Sequence, residues 1–198
     1  MNYLAHAWLS FDEPDILLGN MMSDFVKGKK QFDYPGSVQK GIQLHRLIDQ
    51  FTDSHSSTAE IKEFFRPYYR LYSGPLTDIV YDYFLANDKN EFSSADRLRS
   101  FAQNTYSKLD RGINGAPSQF QRMYGYMKDQ DWLYSYREDW MMETSFRGLE
   151  RRARYLQETG LAYQVFADNK LSMQQRYDEF FPDLKSFAVH TFSELTKK

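Results

Sequence analysis

The sequence predicts an all-α protein, a single-domain helical bundle over residues 1–198. Apolar residues recur at intervals of three and four in one segment after another. Glycine, proline and small polar residues stand where helices start and stop. No stretch shows the sustained alternation of a half-buried strand or the turn signal of a hairpin. Composition agrees: 41% apolar residues, with 16 Phe, 15 Tyr and 3 Trp, can build a ring-rich core, and 10 Gly and 6 Pro are too few for a disordered chain. The length fits one large domain, with no repeat, low-complexity tract or long linker to divide it.

Taken in order, Pro14 suits a first helical position, and Ile16, Leu17, Met21 and Met22 carry that segment to Phe25 before Gly28 stops it. Ser37 is read as the N-cap of a helix reaching Asp53. Ser57 and Glu60 have capping-box spacing and open a short helix that Pro67 should end or kink. Gly74 and Pro75 open another, from Leu76 to Ala86. Leu98, Phe101, Ala102, Thr105 and Leu109 repeat at helical spacing before Gly112, and Pro117 and Ser118 begin a further helix. Met142, Phe146, Leu149, Ala153 and Leu156 form a narrow stripe before Gly160. The remainder reads as helices interrupted near Pro182, while 28–35 and 112–117 read as ordinary loops.

Charge and composition then exclude several chemistries. A net charge of −2, with histidines neutral, gives no whole-molecule pull towards nucleic acid or membrane, and the aromatics fall at core spacing. With no cysteine there is no disulfide, thiolate metal site or Cys nucleophile, so a metal would need oxygen and imidazole ligands. No glycine-rich phosphate loop is present. The first residues lack the basic region and apolar run of a signal peptide, and nothing approaches the roughly 18 apolar residues of a membrane span. The expected compartment is the cytoplasm.

Four segments nonetheless place chemistry-bearing residues on apolar faces. His45, Asp49 and Asp53 follow one another at spacing of four, along one edge of their helix. Asp78 and Asp82 share an edge of a helix whose Leu76, Ile79, Val80, Tyr81, Tyr83, Phe84 and Leu85 surround its circumference. Two close buried carboxylates must be protonated, paired with basic groups or bound to a cation. Asp24 stands among Met21, Met22, Phe25 and Val26, and His6 among Leu4, Ala5, Ala7, Trp8 and Leu9. Any one of these alone is more often a satisfied core residue or a cap. Convergence from four segments is what a hard-metal site in a helical bundle requires.

The same residues carry a family likeness. Asn2-x-Leu4-Ala5-His6, Gly19-Asn20-x-x-x-Asp24-Phe25-Val26-x-Gly28, Gly41-x-x-x-His45-Arg46-x-x-Asp49-x-x-Thr52-Asp53 and Asp78-x-x-x-Asp82-x-Phe84-Leu85 occur in that order across residues 1–86. The pattern resembles the acyl carrier protein phosphodiesterases, relatives of the HD-domain phosphohydrolases. The resemblance implies an HD-phosphohydrolase-like core and a divalent metal, Mn²⁺ in that family. It also implies hydrolysis of the phosphodiester that joins 4'-phosphopantetheine to a serine of the carrier protein. Two positions depart from the pattern: Tyr83 stands where a His is common, in an Asp-His-Phe-Leu string, and Trp8 replaces a second early His.

Phosphodiester hydrolysis needs a nucleophilic water, neutralised phosphoryl oxygens and a proton for the leaving group. On that basis Asp24, His45, Asp49 and Asp82 are assigned as metal ligands. Asp78 is a fifth candidate or an orienting group, and His6 either binds metal or moves protons. Asp53 is read as either a site residue or a solvated helix-end carboxylate. Arg46 and Lys27 are assigned to the substrate.

An acidic carrier protein as partner calls for a basic docking surface. Arg147, Arg151 and Arg154 share a helix face, with Arg152 nearby, although Glu143 and Glu150 balance it. Lys27, Lys29, Lys30, Arg46, Arg66 and Arg70 lie closer to the site in sequence. The competing readings are a phosphohydrolase acting on a nucleotide or other small phosphoester, and a non-catalytic helical module whose buried acids are neutralised by internal Arg or Lys.

Overall fold

The protein was analysed as a computed structural model that describes residues 1–152 and 160–197. Among them there is no strand. The described residues form ten α-helices: α1 (Tyr3–Trp8), α2 (Pro14–Met22), α3 (Gly36–Ser54), α4 (Ser56–Tyr69), α5 (Ser73–Asn87), α6 (Ala95–Gly112), α7 (Ser118–Asp129), α8 (Trp132–Ser135), α9 (Asp139–Arg152) and α10 (Gly160–Thr196). Of the residues singled out between 142 and 156, Ala153, Arg154 and Leu156 lie outside the described residues. Met142 and Phe146 are buried in α9 as the stripe requires.

One hydrophobic cluster runs from α1 to α10, and its largest fully buried side chains include Phe65, Tyr81, Phe84, Phe120, Phe146, Phe166 and Phe180. Full burial of such rings stabilises by about 1.5–3 kcal/mol each. α5 sits at the centre, and all seven of its predicted encircling residues are buried. α10 packs along α3, α4, α5 and α9. There Phe180 stacks on Tyr81, with ring centroids 4.4 Å apart, and meets His55 edge-on at 5.1 Å. No helix among the described residues is long and apolar enough to cross a membrane.

α2 and α3 make the closest helix contact, and glycine allows it. A Cβ on Gly19 would lie 2.1 Å from the Val38 carbonyl oxygen, and one on Gly41 2.3 Å from that of Ile16. Only hydrogen fits between the backbones there. The contact matters because α2 leads directly to Asp24 and α3 carries His45.

Several boundaries differ from expectation for identifiable reasons. α2 stops at Met22, and Ser23–Phe25 tightens into a 3₁₀ turn. α3 begins at Gly36 with Pro35, which has no side-chain acceptor, at its N-cap; Ser37 falls inside the first turn, and its hydroxyl donates to Asp15 Oδ2 at 2.6 Å. The cap of α4 is His55, whose Nδ1 accepts from the Ser57 amide. Pro67 does not end α4, which runs on to Tyr69. α10 likewise continues through Pro182, with Phe180, Phe181 and Leu184 buried around it. Proline forfeits one backbone hydrogen bond, and tertiary packing on both sides outweighs that loss. The two predicted loops each contain a 3₁₀ segment, Gly28–Asp33 and Ile113–Gly115.

Candidate metal centre

Separate segments bring four side chains together. On α3, His45 and Asp49 stand one turn apart, with His45 Nε2 3.1 Å from Asp49 Oδ2. α1 supplies His6, whose Nε2 lies 3.2 Å from the other oxygen of that carboxylate. The 3₁₀ turn after α2 supplies Asp24, with Oδ1 3.2 Å from His45 Nε2. One ligand atom from each of His6, His45 and Asp49 falls within 4.8 Å of the others. The two imidazoles stack with centroids 3.9 Å apart and planes 18° from parallel.

The protonation pattern follows from this packing. Burial, reinforced by the neighbouring His45, lowers His6 to about 4, so it is neutral. Burial also opposes charge on His45, but Asp24 and Asp49 overcome it and raise that imidazole to about 9. Asp49 would be pushed up by burial, yet the two histidines and the Met1 ammonium hold it well below the usual carboxylate range. The hydrogen bond with His45 lowers Asp24. Two stacked imidazolium ions would repel strongly, and the arrangement carries one.

The donor set fits a dication. His45 Nε2 faces two carboxylates with a single N–H to give. Nδ1 of His6 and Nδ1 of His45 are buried without a hydrogen-bond partner, and His6 Nε2 meets Asp49 Oδ1 only in a poorly aligned contact at 3.2 Å. Such orphaned groups cost about 1–3 kcal/mol each. A cation among these atoms would use the lone pairs of neutral imidazoles and the charge of the carboxylates. Imidazole and carboxylate without thiolate suit a hard or borderline ion.

The surroundings hold His6 in place. Both the Asn20 side-chain amide and the Ser10 hydroxyl donate to the His6 carbonyl oxygen, at 3.0 and 2.7 Å. Asp82, fully buried on α5, accepts from the Leu4 amide at 2.7 Å and the Ala5 amide at 3.1 Å. Those N–H groups belong to the uncapped start of α1, where Asn2 makes no side-chain cap. Burial raises the Asp82 carboxyl to about 7 against the pull of the two amides. One turn earlier, Asp78 Oδ1 lies 2.9 Å from the α-amino group of Met1, which also reaches Asp49 Oδ1 at 3.3 Å. Opposed by burial, these two acids nevertheless raise that ammonium to about 11.

A family model described as acyl carrier protein phosphodiesterase matches residues 1–184. The chain belongs to that family. Curated relatives named acyl carrier protein phosphodiesterase include one from Yersinia pestis, 28% identical over 96% of this chain and 98% of its own length. One from Klebsiella pneumoniae subsp. pneumoniae is 29% identical over 95% and 97%, and one from Enterobacter sp. (strain 638) is 30% identical over 92% and 94%. No solved structure matches.

Within this acyl carrier protein phosphodiesterase family member, the sequence-assigned residues fall into three groups. Asp24, His45 and Asp49 meet one another, and His6 joins them. Asp78 and Asp82 flank the cluster but turn to the Met1 amino group and the α1 amides. Arg46 braces the following segment, donating to Gln31 Oε1 at 2.7 Å and to the Val26 carbonyl at 3.1 Å, while Lys27 is exposed. Asp53 pairs with Lys62 at 2.7 Å.

The two departures from the family pattern point elsewhere. Tyr83 receives a hydrogen bond from Lys170 of α10 and packs edge-on against Phe166. Trp8 donates to Glu91 Oε2 at 2.8 Å and lies against Phe92 and Phe101. Sequence reasoning overlooked Ser10, and it gave Asn20 a place in the family pattern but no role. Asn20 sat in a visible clue, an amide inside the apolar run Leu17-Leu18-Gly19-Asn20-Met21-Met22.

Proposed function

We propose that this protein hydrolyses the phosphodiester between 4'-phosphopantetheine and a serine of holo acyl carrier protein, using a divalent metal, Mn²⁺. The observation that carries the reading is the convergence of His6, His45 and Asp49 within 4.8 Å, with Asp24 at its edge. Family membership supplies the substrate class. No Lys or Arg side chain pairs with Asp24, Asp49, Asp78 or Asp82 among the described residues, which disfavours a non-catalytic module with internally neutralised acids.

His6, His45, Asp49 and Asp24 would hold the metal, and Asp82 would act as a positioning residue by fixing α1 and hence His6. A bound dication supplies an activated water and a polarised phosphoryl group. Asp49 orients both imidazoles, one through each oxygen. Arg46 and Lys27, beside the Asp24 rim, would attract the phosphoryl oxygens. In the reaction a water oxygen bonds to phosphorus and the bond to the serine oxygen breaks. The departing oxygen takes a proton, and Asp78 is the proposed donor: burial pushes its carboxyl up against the opposing pull of the Met1 ammonium, and a third of its side chain meets solvent. The products are apo carrier protein and free 4'-phosphopantetheine.

Intact-mass analysis of holo carrier protein incubated with the enzyme and Mn²⁺ tests the proposal. Wild type is expected to strip the prosthetic group, while a chelator, His45→Ala or Asp49→Ala lowers the rate about 100-fold or more. A wild-type protein that leaves the holo form intact would refute the substrate. Variants as active as wild type would refute the site.

A further inference from the structure

The centre is open on one side. His6 and His45 are buried, whereas the Asp24 side chain is 68% exposed, more than that of Asp49 or Asp78. The chain leaving Asp24 passes through Val26, turns at Gly28 with φ of +57° and forms the 3₁₀ segment Gly28–Asp33. A left-handed residue at 28 suits glycine, and it places Lys27, Lys29 and Lys30 on either side of a tight turn. All three lysines are exposed and none makes an ion pair among the described residues. Phe32, in the same segment, is 65% exposed. Arg46 ties this segment to α3 through Gln31 and Val26, adding a fourth cation on its inner edge. Only Asp33 opposes them within the segment.

We propose that residues 27–32, with Arg46, form the surface on which the acidic carrier protein lands, its acidic side chains on the lysines and an apolar side chain on Phe32. The inference rests on the phosphodiesterase reading above and gives that reading a place of contact. Chemistry demands contact close by: reacting atoms must approach to about 3–3.5 Å, and one serine side chain separates the phosphorus from the carrier backbone. The carrier's own surface must therefore touch the enzyme at the rim of the centre. A molecule of net charge −2 has no general attraction for an acidic protein, so four cations gathered at that rim supply a local one. An exposed aromatic in the same short segment as three exposed lysines combines desolvated contact with steering.

The test measures affinity and turnover separately. Fluorescence anisotropy of labelled holo carrier protein gives its Kd for wild type, for Lys29→Glu/Lys30→Glu and for Phe32→Ala, at about 50 and 200 mM salt. The charge reversal is expected to weaken binding about tenfold or more at low salt and to flatten the salt dependence, and Phe32→Ala to weaken it severalfold at both. The rise in Tm on adding Mn²⁺, equal in all three proteins, shows that the centre is intact. No measurable wild-type affinity, or a Kd unchanged in the double variant, would overturn the docking surface. Carrier that binds wild type in this way but is never hydrolysed would sink the catalytic reading and leave the surface standing.

Discussion

His45 links the electrostatics of the candidate centre to the metal affinity proposed for it. In the metal-free protein its folded-state value, about 9, lies above the ordinary histidine value of 6.5. Its contribution to stability is therefore complete below about 6.5 and is lost as the pH rises through about 9. A metal needs the neutral imidazole, so binding displaces this proton. Between about pH 6.5 and 9, Mn²⁺ affinity should rise close to tenfold per pH unit, with about one proton released per ion. Calorimetric titration in two buffers of different ionisation enthalpy measures both. His6, lowered to about 4, is already neutral there and adds no slope. An affinity independent of pH would mean that His45 is not a ligand. At this scale the sequence was legible where spacing does the work: His45 and Asp49 lie one turn apart on one helix. The two α1 amides that meet Asp82 were not visible, because a buried carboxylate that receives backbone amides from another helix has the same sequence signature as a metal ligand.

The helix pair α2–α3 sets the distance between Asp24 and His45. Because Gly41 meets backbone atoms of Ile16, which cannot rotate away, Gly41→Ala should destabilise by about 3 kcal/mol or more. Gly125, in α7 with open space at its Cβ, is the contrasting case. Gly125→Ala should stabilise by about 0.5–1 kcal/mol. Denaturant melts of the two variants decide the matter, and equal effects would contradict the close approach. Neither outcome follows from propensity alone, since alanine is the better helix former at both positions. Glycine at 41 was visible in the sequence as part of the family pattern. The reason for it, a neighbouring backbone about one hydrogen atom away, was not.

Across the whole molecule, periodicity and punctuation sufficed for an all-α fold and for α5 as its central helix, because a helix apolar on every side has nowhere else to go. Pro182 misled, since it was judged by local chemistry while α10 is held by packing on the core. The candidate metal centre belongs to this scale too. It draws on α1, the turn after α2, and α3, with α5 bracing α1 through Asp82, so an ion there would join parts of the chain that no local interaction connects. Anomalous diffraction at the manganese edge, from crystals grown with Mn²⁺, tests that claim most directly. The account predicts a peak coordinated by His6, His45, Asp49 and Asp24, with the His45 imidazole no longer bridging the two carboxylates as a proton donor. A map without density there, His45 still hydrogen-bonded to Asp24, would contradict it.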